Sequence, residues 1–210
     1  MAKSIISPKG VAVYPRINGK PDTQFDEGGV WKTGLRTTLN AETREYLKML
    51  DAELVKSVAA ASADPKNKGK KFNPGHSPYT IEEDTNTVLF NYKKTAQFTD
   101  KKTGEVKTTS VAIFGPDGKP LTSNVLIGAG SRIAVAHGIK HTTFGKQAFV
   151  KLTLNAVMIY DLVEYGGSAE GYGFQMEERE ADEDEENEET SASEDADDAA
   201  EDDSADEGDF

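Results

Sequence analysis

Thr87-Val88-Leu89-Phe90-Asn91-Tyr92-Lys93-Lys94-Thr95-Ala96-Gln97-Phe98 is the stretch on which the fold turns. Val88, Phe90, Tyr92, Ala96 and Phe98 fall on one side of an extended chain, and Asn91, Lys93, Thr95 and Gln97 on the other. A period of two marks a half-buried strand, not a helix. Asp100-Lys-Lys-Thr-Gly104 follows as a hairpin loop, and residues 107–114 return as the partner strand. Gly115-Pro-Asp-Gly118 then reads as a strong turn.

The same period recurs upstream and downstream. Residues 9–17 alternate Val11, Val13 and Pro15 against Ala12, Tyr14 and Arg16, and residues 30–37 set Trp31, Thr33 and Leu35 against Val30, Lys32 and Arg36. Residues 131–139 place Ile133, Val135, His137 and Ile139 inward and Arg132 outward. A loop carrying Lys140, His141, Phe144 and Lys146 leads to the last strand, 149–163, with Val150, Leu152 and Leu154 inward against Lys151. One segment breaks the pattern. After Asn40, a good N-cap, Leu47, Leu50, Leu54 and Val58 recur at helical spacing and predict an amphipathic helix over 41–61. A basic loop, 62–80, with Lys66, Lys68, Lys70 and Lys71 joins it to the next strand. The expected class is all-β with one capping helix, as a five-stranded antiparallel Greek-key barrel of the OB type over residues 1–176.

The charge is divided unevenly. The chain holds 24 Lys and Arg against 37 Asp and Glu, net −13. Residues 177–210 account for 20 of the anions and one cation, which leaves 23 cations and 17 anions in residues 1–176, net +6. A basic domain thus carries a polyanionic tail, which cannot bury enough apolar surface to offset its ordering entropy and is expected to be disordered. A flexible chain of that length spans roughly 30–35 Å, enough to reach any groove on its own domain. The tail closes on Asp209 and Phe210. Two readings stand: a solubilising tail, or a nucleic-acid mimic that covers the domain's own basic groove and offers Phe210 as a partner's anchor.

The chain contains no cysteine, so disulfides, thiol nucleophiles and Cys-based zinc sites are excluded. His76, His137 and His141 are too scattered for a metal centre, and no cofactor is expected. No segment approaches the roughly 18 apolar residues of a membrane span, and a soluble intracellular protein is predicted. Gly128-Ala-Gly130-Ser131 lacks the spacing of a phosphate loop and reads as a bend entering a strand. No Ser-His-Asp or paired-carboxylate arrangement supports an enzyme. What remains is basic residues interleaved with aromatics, the combination that binds single-stranded nucleic acid through phosphate contact and base stacking. The candidates are Trp31, Lys32, Arg36, Lys93, Arg132, Lys140, His141, Phe144, Lys146 and Lys151, with Trp31 either a core residue or a stacking residue on the rim. An acidic-tailed chaperone for basic clients is the alternative, and the +6 domain speaks against it.

Gly29-Val30-Trp31-Lys32, Phe98 with Asp100-Lys-Lys-Thr, Ile127-Gly128-Ala-Gly130-Ser131, Val150-Lys-Leu-Thr-Leu with Val157-Met158, Glu164-Tyr-Gly-Gly167 and the acidic ending on Asp-Phe together bring a family into view. The chain resembles the single-stranded DNA-binding proteins of T7-like bacteriophages. The resemblance implies an OB barrel, sequence-independent binding of single-stranded DNA in replication, recombination and repair, and a homodimer in the cytoplasm of the infected bacterial host. It also implies that the tail, through Asp209 and Phe210, contacts the phage DNA polymerase and helicase/primase. Thr95 stands where the family tends to carry an aromatic, and Ala134 and Ala136 where it often carries Lys. Stacking and charge are therefore expected to shift toward Trp31 and the Lys66–Lys71 loop.

Overall fold

The structure, a computed structural model, describes residues 4–121 and 126–165. Its strands are β1 (Ile5–Ile6), β2 (Gly10–Arg16), β3 (Val30–Thr38), β4 (Asn73–Pro74), β5 (Tyr79–Glu82), β6 (Thr87–Thr95), β7 (Gln97–Thr99), β8 (Val106–Thr108), β9 (Ala112–Phe114), β10 (Arg132–Phe144) and β11 (Gln147–Asp161), with one long helix, α1 (Ala41–Ala63), after β3. Pairing runs β10-β2-β3-β6-β11, and β11 pairs again with β10, so these five strands close a ring. The expected all-antiparallel ring is corrected at one seam. β6 and β11 run parallel, with Tyr92 beside Leu152 and Lys93 beside Thr153. β9 also joins β11 in parallel, so residues 107–114 are not one return strand but two, of which only β8 pairs β7.

Inside the ring, Leu35, Val88, Phe90, Tyr92, Ile133, Val135, Leu154 and Val157 are fully buried. Full burial of one such aliphatic or Phe side chain contributes roughly 1.5–3 kcal/mol. Helix α1 closes one mouth with Tyr46, Leu47, Leu50 and Leu54 buried against the strands. The side chain of Asn40 accepts from the Thr43 amide at 2.8 Å, which satisfies one of the first-turn donors and fixes where the helix starts.

Two face assignments change. Ala12 is a core residue and Val11 is 44% exposed, the reverse of the alternation, whereas Pro15 and Ile17 are buried and Tyr14 is 82% exposed in keeping with it. A bulge switches the phase between the two: the pairing of β2 with β3 slips between Val13 and Arg16, and Tyr14 adopts a φ of 46°. Phe98 leaves the core face because β6 ends at Thr95. The Ala96 amide is drawn to the Gly29 carbonyl, and the β7–β8 ribbon then stands away from the ring with Phe98 46% exposed.

A polar contact lies within this apolar interior. The Tyr46 hydroxyl donates to Nε2 of the fully buried His137 at 2.6 Å, and Tyr92 Oη lies 3.1 Å from Tyr46 Oη. Nδ1 of His137 faces the Gly138 carbonyl at 3.2 Å, so a neutral imidazole protonated at Nδ1 satisfies the set. Burial pushes the Tyr46 hydroxyl up to about 12 and holds the His137 imidazole below its usual 6.5. The unfolded chain therefore takes up the His137 proton first as pH falls. This group's contribution to stability is intact above pH 6.5 and drains as pH drops through 6.5 toward the folded-state value. Replacing His137 by Gln, which keeps an acceptor for Tyr46, should flatten the acid limb of stability against pH by up to about 1.4 kcal/mol per pH unit. Denaturant titrations between pH 7 and pH 5 measure this, and identical limbs would assign the acid sensitivity to another group.

Candidate nucleic-acid interface

Alternation along each strand sends one set of side chains into the ring and the other outward. Cross-strand register then fixes which outward residues meet. Lys32 on β3 lies opposite Lys93 on β6, Lys93 lies beside Thr153 on β11, and Lys151 lies opposite Lys140 on β10. Of these, Lys93, Thr153, Lys151 and Lys140 line a groove of about 760 Å³ that runs over the parallel seam. Lys93, Lys94, Lys140 and Lys151 line it together with Tyr79 and Phe98, and among the described residues no Asp or Glu does. Lys94 Nζ is engaged by the Ser110 carbonyl at 2.7 Å. Lys93, Lys140 and Lys151 form no ion pair among the described residues. Like charges directly opposite on a sheet destabilise it, so the Lys140–Lys151 pair is a cost that a bound polyanion would relieve.

The structure separates the sequence candidates into three groups. Lys93, Lys140 and Lys151 share the groove. His141, Phe144 and Lys146 are not on a loop: β10 runs on to Phe144 and β11 starts at Gln147, so they ride on a hairpin arm turned by Gly145, whose φ of 59° suits glycine. Phe144 is 83% exposed near the tip, and His141 Nε2 reaches Glu53 of α1 at 3.2 Å.

The third group stands apart from the groove. Trp31 is corrected to a core residue: it is 9% exposed, and its indole Nε1 donates to the Thr109 carbonyl at 2.8 Å. Arg36 forms two bonds to the Glu82 carboxylate, at 2.7 and 2.9 Å, which hold that carboxyl down at about 2. Lys32 is paired with Asp22 and faces a different groove. Arg132, expected among the contacts, sits at the far end of β10 beside Asp161 at 3.7 Å, eight residues from Lys140 and hence roughly 26 Å along the strand.

Tyr79 and Phe98 were missed as groove aromatics. Tyr79 lies in the stretch read as a basic loop, and its hydroxyl donates to Asp51 at 2.9 Å. Lys66, Lys68, Lys70 and Lys71, expected to take over charge, are exposed but do not line the groove. The 128–131 bend is structural. Gly130 has a φ of 95°, and a Cβ on Gly128 would lie 2.9 Å from the Val163 carbonyl oxygen, so that backbone packs on the chain leaving β11 and is not open to a phosphate. Asp209, Phe210, the acidic tail and the boundary at 176/177 lie outside the described residues.

The family profile described as single-stranded DNA-binding protein, bacteriophage T7, matches residues 12–162. The chain belongs to this T7-type single-stranded DNA-binding protein family. It is 30% identical over 200 residues to the single-stranded DNA-binding protein of Escherichia phage T7, covering 85% of this chain and 84% of that one. To the protein of the same description from Enterobacteria phage T3 it is 31% identical over 172 residues, 72% of each chain. Among solved structures it resembles gp2.5, a single-stranded DNA binding protein encoded by bacteriophage T7, with a TM-score of 0.64, 26% identity, and coverage of 84% of this chain and 96% of that chain. The single-stranded DNA-binding protein of bacteriophage Enc34, solved in complex with single-stranded DNA, shares the fold at a TM-score of 0.55 and 12% identity, over 79% of this chain and 90% of that chain.

Proposed function

We propose that this chain is a non-enzymatic protein that coats single-stranded DNA without regard to sequence during phage DNA replication and recombination. The observation that carries this reading is the groove lined by Lys93, Lys94, Lys140 and Lys151 beside Tyr79 and Phe98, with no carboxylate among the described residues that line it. Cations that track a phosphate backbone, with rings for the bases, are what sequence-tolerant binding requires. The single-stranded DNA-binding proteins of phages T7 and T3 to which the chain is related support it. So does the ring order: numbering only the five ring strands along the chain gives 1-2-3-5-4, which we assign to an OB barrel, a fold that presents such a groove. Phe144 and Lys146 on the hairpin arm extend the surface beyond the ring. A chaperone for basic clients gives no account of a lysine groove.

The acidic tail is assigned two separable roles. Its charge competes with DNA for the groove, and Asp209 and Phe210 dock onto the phage polymerase and helicase/primase, with the protein acting as a homodimer in the host cytoplasm. Titrating the full chain with single-stranded and duplex DNA of equal length tests the main reading, and equal affinity would overturn it. Removing residues 177–210 should tighten single-strand binding, most at low salt where charges are least screened. Removing Phe210 alone should leave DNA binding nearly as it is and weaken capture of the polymerase. A tail deletion with no effect at low salt would reduce the tail to a solubiliser or partner hook.

A further inference from the structure

On the other side of Lys32 lies a second groove of about 820 Å³, lined by Tyr14, Arg16, Lys20, Asp22, Lys32 and Tyr165 among others. It is not remote from the first. Arg16 on β2 pairs with Lys32 on β3, Lys32 with Lys93 on β6, and Lys93 with Thr153 on β11. Three strand steps of about 4.8 Å make one outward row roughly 15 Å long, basic at its first three positions. Asp22 is the single carboxylate among the residues lining the second groove, and it is paired with Lys32. Arg16 and Lys20 are left as net positive charge, with the Arg16 guanidinium 5.3 Å from the centre of the Tyr165 ring.

Tyr14 is the strained residue of this groove. Its φ of 46° is left-handed, a conformation in which an aromatic residue is strained, and its ring is 82% exposed. Burial of the side chain does not compensate that strain. What the bulge achieves is geometric: it swings the Tyr14 ring outward and brings Arg16 into the row of Lys32 and Lys93. Bulges that re-aim a side chain, and strained backbone that persists, gather at binding sites.

We infer that a single strand held in the first groove continues across Lys32 into the second, where Tyr14 stacks a base and Arg16 and Lys20 meet its phosphates. This rests on the single-stranded DNA reading above and assigns the path of that strand. The full-length protein is titrated with oligothymidylates of about 5 and about 15 nucleotides, which bracket the site sizes of single OB domains. In a Tyr14→Trp variant the new indole should be quenched by the longer oligomer and far less by the shorter one. Trp31, the one native tryptophan, is buried and supplies a constant background.

Tyr14→Gly relieves the backbone strain and removes the ring, so the melting temperature should not fall, while affinity for the longer oligomer drops roughly ten-fold, within the range of one lost base–aromatic stack. Lys93→Ala separates the two levels. If it weakens both oligomers while Tyr14→Gly weakens neither, the second groove is not on the path and the first reading stands. If Lys93→Ala weakens neither, the underlying reading fails. Equal loss of both oligomers in Tyr14→Gly would make the second groove the primary seat and overturn the order proposed here.

Discussion

Replacing Lys93 and Lys151 together by alanine is expected to flatten the salt dependence of single-strand binding by about 1.4 in log affinity per log salt. Each phosphate neutralised on a single strand contributes a slope of about −0.7 through counterion release. The four lysines lining the first groove would give the unaltered protein a slope near −3. Extrapolated from a common value at 1 M salt, two lost contacts amount to roughly 25-fold in affinity at 0.1 M. Both side chains are exposed on the outer surface of the ring. Folding stability should therefore be unchanged, or slightly raised where the opposition of Lys151 to Lys140 is relieved. Fluorescence or filter titrations from 0.05 to 1 M salt decide the matter. A slope equal to that of the unaltered protein would take the phosphate path out of this groove.

Truncating Trp31 to alanine should act on the other quantity. Its ring belongs to the main core cluster and its Nε1 satisfies the Thr109 carbonyl, where β8 has ended and the chain turns back toward the ring. Removing a buried Trp typically costs on the order of 3–5 kcal/mol, a large share of the roughly 5–15 kcal/mol that stabilises an ordinary domain. Urea titration should show this loss, with Trp31→Phe intermediate. Binding by the fraction still folded should match that of the unaltered protein. Weakened DNA binding at undiminished stability would return Trp31 to the interface.

Local alternation made much of the fold legible. Val88, Phe90 and Tyr92 are all buried as their spacing predicts, and the helix begins at its expected cap. Readings failed where the cause was not local. Tyr14 carries no sequence signal for a left-handed backbone, so the faces of β2 were misassigned ahead of that bulge, at Val11 and Ala12, and match the alternation only beyond it. Lys140–Phe144 has little apolar content on either face, and an arm beyond the core shows no period to detect. Arg36 looked like a free cation because Glu82 is 46 residues away. The charge of the first groove was legible in residue type and not in place: Lys93, Lys140 and Lys151 are scattered along the chain, and only strand register sets them around one seam. Arg132 belongs to the same strand as Lys140 and was discarded by geometry alone.

The hydrogen-bonded set of Tyr46, Tyr92 and His137 has a meaning apart from its acid sensitivity. Its three side chains come from three separate elements, α1, β6 and β10. Leucines alone would let a helix slide or rotate over the mouth of a barrel into several comparably apolar seats. A shift of one helical turn, about 5.4 Å, would carry the Tyr46 hydroxyl out of reach and strand two polar groups in hydrocarbon. The triad thus acts as a key and its lock. It selects one seating of the helix from many greasy ones, and contributes uniqueness more than strength.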